Sequence, residues 1–357
     1  MYRIMFLLLL TTIQAAAQTT IPFSSSRWKI SGKEAVQETH LGQPALRLLQ
    51  ATALLEDADF RNGIIEFDIA LEKARYFPGI HFRMQDERNY EEYYLRPHQS
   101  GNPDAQQYTP VNNGQAGWQL FYGPGFNGAV TLPFDRWLHV RMLVSGKQAE
   151  IYLDHADTPA LSIYPLRREA DGGMISLSNP APARAWYSNF SYTKTDDVPL
   201  QSRPAPAPPL PAGTITSWQV STPFSEKLVN GHHWLGTADT AALQWQELRT
   251  DAAGLADISQ LAGVSEQGNT VFARKVINTA QAGIRKLTFG FSDRARVYLN
   301  GRLLYAGEDN FLSRDYRFLG TLGYFDAVYL DLQKGRNELW IAVSENFGGW
   351  GIKAKLE

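Results

Sequence analysis

The sequence predicts an all-β protein with two antiparallel β-sandwich (jelly-roll) domains joined by a proline-rich linker. Short runs of alternating apolar and polar residues follow one another along the chain, and helical periodicity is scarce. Turn dipeptides such as Asn62-Gly63 and Ser145-Gly146 separate these runs. Residues 198–213 contain six of the 19 prolines, which favours an extended, semi-rigid spacer between two folded parts.

The first 17 residues have the pattern of a secretory signal peptide. Arg3 precedes an apolar run over residues 4–13, and Ala15-Ala16-Ala17 provides a cleavage signal before Gln18. The apolar run is too short to span a bilayer well. The chain contains no cysteine, which excludes disulfides, thiolate metal ligands and a lipid anchor on cysteine. We therefore expect a secreted or periplasmic protein that is not embedded in a membrane.

The linker divides the rest of the chain into residues 18–197 and residues 214–357. Each part is long enough to bury a core of its own. The strands predicted for the first part are Ala45–Leu49, Gly63–Leu71, Gly79–Met84, Tyr90–Arg96, Trp118–Tyr122, Trp137–Val144, Ala149–Leu153, Gly173–Ser178 and Ala185–Tyr192.

Composition narrows the class of partner. The 357 residues carry a formal net charge of -2 without a basic patch, which argues against nucleic acid. The 9 Trp, 16 Tyr and 18 Phe residues serve mainly as core, and in a secreted β-rich protein some of them also suit stacking on sugar rings. We expect an oligo- or polysaccharide partner and leave the oligomeric state open.

The first part resembles the laminin-G-like, concanavalin A-like lectin/glucanase sandwich, which includes 3-keto-disaccharide hydrolase-like domains. The resemblance rests on Gly63–Asp68, on Trp137–Asp154 and on the closing strand around Phe190. It implies a β-sandwich and leaves the chemistry open, because this fold hosts lectins, hydrolases, lyases and adhesion modules.

The second part resembles a galactose-binding-like jelly roll over residues 271–357. Its signature is a hairpin over Ala295–Tyr305 with Asn300-Gly301 as the turn, followed by a second strand pair over Val328–Val343. The resemblance implies an accessory module of the kind found in secreted glycosidases. It leaves residues 215–269 without a detailed expectation.

Polar residues on two neighbouring strands predict a ligand site on the first domain. In strand register, one face of residues 79–98 carries His, Arg, Glu and Tyr side chains together. A long polar connection over residues 99–113 follows, and such loops often carry function. The expected ligand-binding residues are His81, Arg83, Glu92, Tyr94, Arg96, His98, Asp104, Gln107 and Trp118.

Whether this site is catalytic stays open. Glu92 is the candidate acid or base, with His81 or His98 as its partner, and binding without proton transfer needs the same residue types. Glu66 and Asp68 lie too far along their strand from Glu72 for the carboxylate spacing of a laminarinase-type hydrolase. We interpret them as outward polar residues.

The functional expectation is a secreted carbohydrate-recognising protein that acts in polysaccharide use or on the cell envelope. The alternatives are a glycoside hydrolase or polysaccharide lyase with its site on the first-domain sheet, and a non-catalytic adhesion module that binds protein. No EF-hand spacing is present, so we predict no metal among the site residues and no cofactor, with a structural Ca²⁺ ion as an open alternative.

Trp350 stands among glycines near the C-terminus, in the run Asn346–Gly351. We predict that its ring closes the core of the second sandwich. The alternative is a stacking platform that faces a sugar or the first domain.

Overall fold

The structure is a computed structural model that describes residues 19–169, 172–204 and 206–357. The predicted signal peptide lies outside the described residues. The chain is all-β, which confirms the predicted fold class, and among the described residues no helix is long and apolar enough to cross a membrane.

Residues 19–194 form the first sandwich from one hydrogen-bonded sheet of 14 strands. These strands are β1 (Thr19–Thr20), β2 (Trp28–His40), β3 (Gln43–Leu55), β4 (Gly63–Leu71), β5 (Gly79–Asp86), β6 (Asn89–Leu95), β7 (Gln106–Asn112), β8 (Gln115–Ala116), β9 (Asn127–Gly128), β10 (Leu138–Ser145), β11 (Gln148–Leu153), β12 (Leu161–Ile163), β13 (Met174–Asn179) and β14 (Ala185–Lys194). A single-turn 3-10 helix over Pro97–Gln99 follows β6.

The long strand β3 folds this sheet into two layers. Residues 46–48 of β3 pair with β14, whereas residues 51–55 pair with β13. Between the two segments, Gln50 has a positive φ of 47°, which bends the strand from one layer into the other. One layer runs β12-β11-β10-β4-β14-β3, and the other runs β3-β13-β5-β6-β7-β8.

The inward faces of the two layers make the first core. Residues that alternate along β4, β10 and β5 are fully buried and belong to one apolar cluster, which Tyr108 of β7 joins. Representative members are Ile65, Phe67, Val140, Met142, Ile80, Phe82 and Tyr108. On β4, β10 and β5 the polar residues between them therefore face away from this core, and the same alternation on β6 sets which of its side chains reach the candidate site.

The second sandwich spans residues 214–356 and has two separate sheets. Its strands are β15 (Ser217–Ser221), β16 (Trp245–Arg249), β17 (Ala256–Asp257), β18 (Thr270–Thr279), β19 (Gly283–Phe291), β20 (Arg294–Leu299), β21 (Arg302–Glu308), β22 (Asp326–Leu332), β23 (Gly335–Ser344) and β24 (Gly351–Leu356). One sheet has the order β16-β15-β18-β23-β20-β21, and the other has the order β17-β24-β19-β22. Helical turns occur over Glu226–Leu228, Thr237–Thr240 (α1) and Ile258–Gln260.

The predicted hairpin of the second sandwich is confirmed, because β20 and β21 pair around Asn300-Gly301. The predicted second strand pair is wrong. β22 pairs with β19, whereas β23 pairs with β18 and β20, so the turn at Lys334-Gly335 connects the two sheets. The apolar side chains of β22 and β23 contact each other across the core instead of along one sheet.

Trp350 is a core residue, as predicted. Its side chain is 0% exposed inside the second core, and its indole N–H donates to the carbonyl of Val343 at 3.0 Å. The alternative of a stacking platform at this position is therefore wrong.

The two sandwiches are joined by direct contacts. Arg167 forms an ion pair with Asp251 at 2.6 Å, and the buried Asn112 amide donates to Asp257 at 3.0 Å. An apolar cluster also bridges them, with Leu120 and Phe121 on one side and Leu255 and Leu322 on the other. We infer that the second sandwich is held against the first by more than the linker.

The beginning of the proline-rich segment also lies against the first sandwich. The carboxylate of the buried Glu150 on β11 accepts hydrogen bonds from the backbone N–H groups of Gln201 and Ser202. The amide of Gln148 donates to the carbonyl of Ser202 at 2.8 Å. This part of the linker is therefore anchored.

We expect the sandwiches to stay together after the linker is cut. A recognition site for a specific protease, inserted after the exposed Arg203, allows the linker to be cut. The two fragments should then coelute on size exclusion because the direct contacts remain. Separate elution of folded fragments at micromolar concentration would mean that the contacts between the sandwiches are too weak to hold them.

A candidate ligand site between the two sandwiches

A cavity of about 390 Å³ opens between the outer face of the β6 layer and two loops of the second sandwich. Apolar and aromatic side chains line most of it, and several charged groups converge on it. The lining residues are Arg75, Phe77, Glu92, Tyr94, Arg96, His98, Gln99, Asp104, Ala116, Trp118, Phe311, Leu319 and Phe347.

Strand β6 supplies the floor of this cavity. Glu92 and Tyr94 alternate with the buried Tyr93 and Leu95, so they face away from the first core. Phe77 contacts the ring of Tyr94 edge-on, with ring centroids 5.9 Å apart. Several rings are therefore presented to the cavity from fixed positions.

The guanidinium of Arg96 is held rigidly within this floor. It donates to the hydroxyl of Tyr94 at 2.8 Å, to the carbonyl of Asp104 at 3.1 Å and to the side-chain oxygen of Gln107. It forms an ion pair with the Asp104 carboxylate at 3.5 Å, and its carbon lies 5.7 Å from the ring centre of Trp118. Arg96 is only 5% exposed, so its position is set before any ligand arrives.

The second sandwich supplies the opposite wall. The backbone N–H of Gln119 donates to the carbonyl of Gly348 at 2.9 Å, and its side-chain amide donates to the carbonyl of Leu319 at 2.8 Å. A Cβ at Gly348, whose φ is 107°, would lie 1.8 Å from the Gln119 side-chain oxygen. Only glycine allows this close approach, which brings Phe347 to 6.2 Å from Trp118, measured between ring centroids.

His98 and Arg75 shape the electrostatics of the cavity. Burial, followed by the charges of Arg75 and Arg96, lowers the pKa of His98, so its imidazole is neutral at neutral pH. Its buried Nδ1 has no hydrogen-bond partner among the described residues. The exposed Arg75 forms no ion pair within the described part of the chain. Arg75 therefore places one unpaired positive charge at the rim of the cavity, beside a neutral imidazole.

The structure brings six of the nine predicted ligand-binding residues to this cavity, namely Glu92, Tyr94, Arg96, His98, Asp104 and Trp118. Gln107 lies beneath it, where its amide donates to the carbonyls of Trp118 and Phe121 and its oxygen accepts from Tyr94. His81 lies beside the cavity, with its Nε2 3.4 Å from Glu92 and its ring stacked on Tyr90.

The prediction that Arg83 shares this face is wrong. A β-bulge between Phe82 and Asp86 breaks the alternation of β5, and Arg83 has a positive φ of 48°. Its guanidinium therefore turns away and donates to the carbonyl of Arg61 at 2.7 Å and to the side-chain oxygen of Asn62 at 3.0 Å.

Two local predictions around the site are also wrong. Residues 106–112 form the buried strand β7, not part of a loop, because polar side chains such as Gln106 and Gln107 are hydrogen-bonded on both faces. Trp118 follows the short strand β8 in a turn and does not begin a strand. That turn is what brings its ring to the cavity.

Sequence analysis missed the wall that the second sandwich contributes. Phe311 and Leu319 lie in an irregular segment between β21 and β22 that carries no recognisable motif. In the glycine-rich run Asn346–Gly351, the sequence pointed to Trp350 as the aromatic residue of interest, but Phe347 is the one that lines the cavity.

Glu66 and Asp68 lie on the other layer of the first sandwich, in a shallow surface depression. Asp68 contacts Nδ1 of His139 at 2.7 Å, and Glu66 lies 3.6 Å from its Nε2. The ring of His155 stacks on that of His139 at 4.0 Å. The two carboxylates are outward polar residues, as predicted, and they form an ion-pair cluster away from the cavity.

This cluster should make stability fall as pH rises towards 9. The hydrogen bonds that its ring donates to the carboxylates of Asp68 and then of Glu66 raise the pKa of His139 to about 9, above the ~6.5 of an unfolded histidine. The stabilisation is therefore complete below about pH 6.5 and is lost as pH rises through about 9. Urea unfolding of the wild type and of His139→Gln across this range should show a smaller pH dependence in the variant. Equal slopes would contradict the assignment.

Among the described residues, no group of three or more histidine or acidic side chains forms a ready-made metal cage.

No protein-family model and no curated protein matches this chain. Solved structures with similarity include the carbohydrate-binding module CBM66 from Bacillus subtilis, at 17% identity over 48% of this chain and 100% of that chain, with a TM-score of 0.37. Domain 4 of a GH43 extracellular arabinanase from Geobacillus stearothermophilus, in complex with arabinotriose, matches at 11% identity over 47% and 82%, with a TM-score of 0.33. A Bacillus subtilis protein of unknown function with a galectin-like fold matches at 13% identity over 49% and 94%, with a TM-score of 0.37. Identities and scores this low carry no argument about what this chain does.

Proposed function

We propose that this is a secreted protein that binds oligo- or polysaccharide in the cavity between its two sandwiches. It would act in polysaccharide use or on the cell envelope, with residues 18–197 and 214–357 as its two domains. The observation that carries the proposal is the set of aromatic rings and fixed charged groups that converge on one cavity of about 390 Å³. Most ligand pockets have this mixture of apolar lining and a few placed polar groups.

The aromatic residues fit the apolar faces of sugar rings. Trp118 and Phe347 approach each other from opposite walls, and Tyr94 and Phe77 extend the apolar surface below them. A pyranose ring presents C–H groups that pack on such a ring face, while its hydroxyls point to the rim. Glu92 also lines the cavity, where its carboxylate can accept hydrogen bonds from the sugar hydroxyls.

The charged groups favour a glycan that carries carboxylates, such as a uronic acid polymer. Arg75 has no ion-pair partner among the described residues, whereas both terminal nitrogens of Arg96 are already engaged by Tyr94, Asp104 and Gln107, so Arg75 is the guanidinium that can bind the carboxylate. A guanidinium binds a carboxylate with two parallel hydrogen bonds, which gives both affinity and orientation.

A second candidate function is cleavage of the same glycan at this site, either by β-elimination, as in a polysaccharide lyase, or by hydrolysis. His98 favours it, because its imidazole is neutral. Its Nδ1 has no hydrogen-bond partner among the described residues and can therefore accept a proton from the substrate. A base of this kind beside guanidinium groups suits abstraction of a proton next to a uronate carboxylate.

Calorimetric titration with a panel of neutral and acidic oligosaccharides tests the proposal. Binding of acidic members by the full-length mature protein, weakened in Arg75→Ala and unchanged in the exposed control Arg249→Ala, is the expected result. A charged hydrogen bond contributes about 1.5–3 kcal/mol, so Arg75→Ala should weaken binding roughly 10- to 150-fold. If the protein binds none of the glycans in the panel, the proposal is wrong. Accumulation of unsaturated or reducing-end products, lost in His98→Ala, would select the catalytic candidate.

A further inference from the structure

The cavity has a charged end around His98. The charge of Arg75 contributes to the lowered pKa of His98, and Phe77 contacts the His98 ring edge-on, with ring centroids 5.5 Å apart. Phe77 also contacts Tyr94, whose ring centre lies 5.1 Å from the guanidinium carbon of Arg96. These contacts lead from the unpaired Arg75 across the floor of the cavity to Arg96.

The cavity has an apolar end beyond Arg96. The ring centre of Trp118 lies 5.7 Å from the guanidinium carbon of Arg96, and 6.2 Å separates the ring centroids of Trp118 and Phe347. Phe347 is 50% exposed, so its ring is open to a ligand. The contacts therefore end on aromatic carbon, at the opposite end from the unpaired charge.

Gln119, which follows Trp118 in the chain, holds the other apolar lining residues at this end. Its side-chain amide donates to the carbonyl of Leu319 at 2.8 Å, and its backbone N–H donates at 2.9 Å to the carbonyl of the glycine after Phe347. A Cβ at Gly320 would lie 2.2 Å from the same amide nitrogen and 3.1 Å from the backbone nitrogen of Phe311. Phe311, Leu319 and Phe347 therefore line the cavity together.

The polar groups behind this apolar end are already paired. The carbonyls of Leu319 and Gly348 accept the hydrogen bonds from Gln119, and the carbonyl of Gln119 accepts from the N–H of Leu322 at 3.0 Å. Gln119 is 1% exposed, and its Oε1, which has no partner among the described residues, is buried against Gly348. A sugar hydroxyl placed at this end would therefore lose its hydrogen bonds to water without replacement, which costs free energy.

We propose that the ligand is an acidic glycan whose uronate residues carry O-acetyl groups, an inference that rests on the proposed function. In a hexuronic acid, the carboxylate on C5 and the oxygens on C2 and C3 lie on opposite sides of the ring. A carboxylate bound by Arg75 therefore leaves O2 or O3 to reach the apolar end. An O-acetyl group there has no hydrogen-bond donor to leave unpaired, and its methyl packs against Phe311, Leu319 and Phe347.

Calorimetric titration of the full-length mature protein tests this inference. The probes are O-acetylated oligogalacturonates and oligomannuronates, each compared with the same preparation after mild alkaline deacetylation. The acetylated form should bind roughly 4- to 15-fold more tightly, the factor for burying one or two carbon groups. Both forms carry the same carboxylates, so their ratio of affinities reports on the apolar end alone.

Leu319→Asn should remove this preference. The change replaces an apolar side chain with a polar one of similar size and keeps the backbone carbonyl that accepts from Gln119. Affinity for the deacetylated form should stay close to that of the wild type. The matched control is Leu312→Asn, which lies in the same segment, is 47% exposed and is not among the lining residues, so it should keep the full preference. Phe311→Ala is the second variant if Leu319→Asn does not fold.

The contrary outcomes separate this inference from the proposed function. Equal affinity for the two forms in the wild type, or tighter binding of the deacetylated form, would overturn the inference and leave the proposed function standing. A preference that survives in both Leu319→Asn and Phe311→Ala would overturn the placement of the acetyl group. Binding of neither form of either glycan would overturn the proposed function, and this inference with it.

Discussion

Replacing Trp350 with alanine should lower the free energy of unfolding by about 3–5 kcal/mol, the range for large aromatic residues removed from a core. The indole is 0% exposed in the second core, and its N–H donates to Val343. Its backbone carbonyl also accepts a hydrogen bond from the N–H of Ile258 at 2.7 Å. The void left by the missing indole would therefore lie where several elements meet. Urea unfolding should show a lower midpoint with an unchanged m-value.

The control for this experiment is Trp234→Ala. Trp234 is 64% exposed, and substitutions at such positions usually change stability by less than about 0.5 kcal/mol. A loss of similar size in both variants would show that Trp350 has no special place in the core.

Replacing Trp118 with alanine should weaken glycan binding by at least about 30-fold, or about 2 kcal/mol, as for other aromatic residues that dominate a binding site. Its ring is partly exposed at the cavity, between the guanidinium of Arg96 and Phe347. The hydrogen bond from Gln107 goes to its backbone carbonyl and survives the change. The melting temperature should therefore stay close to that of the wild type, and calorimetric titration measures the affinity.

Trp234→Ala is again the matched control, because it also removes an indole and Trp234 is not among the residues that line the cavity. Unchanged affinity in Trp118→Ala would exclude this ring from the binding surface. A large fall in melting temperature would instead give Trp118 a structural role.

The sequence predicted the fold class because alternation marks half-buried strands directly. The predicted strand Gly63–Leu71 coincides with β4, and the Asn300-Gly301 turn located the hairpin of β20 and β21. In both places, local pattern and tertiary environment agree.

The sequence could not predict the features that depend on tertiary contacts. The bulge that turns Arg83 away from the site leaves no mark in the residue pattern. Strand β7 lacks alternation because both its faces are buried, and its glutamines are satisfied by partners elsewhere in the chain. The wall around Phe347 depends on how the sandwiches pack, which strand periodicity does not encode.

The candidate site was predicted only in part for the same reason. The alternation of β6 correctly placed Glu92 and Tyr94 on the outward face. Arg96 lies just beyond that strand, and its partners Asp104 and Gln107 hold it at the cavity. The alternation of β6 in the sequence therefore located the floor of the cavity, and the structure shows which residues enclose the cavity above that floor.

A crystal structure of the full-length mature protein soaked with mixed acidic oligosaccharides tests the central claim most directly. The account predicts a sugar ring packed against Trp118 or Phe347, with its carboxylate within hydrogen-bond reach of Arg75. A glycan bound elsewhere, for example over Glu66 and His139 on the other layer, with nothing in the cavity, would contradict it.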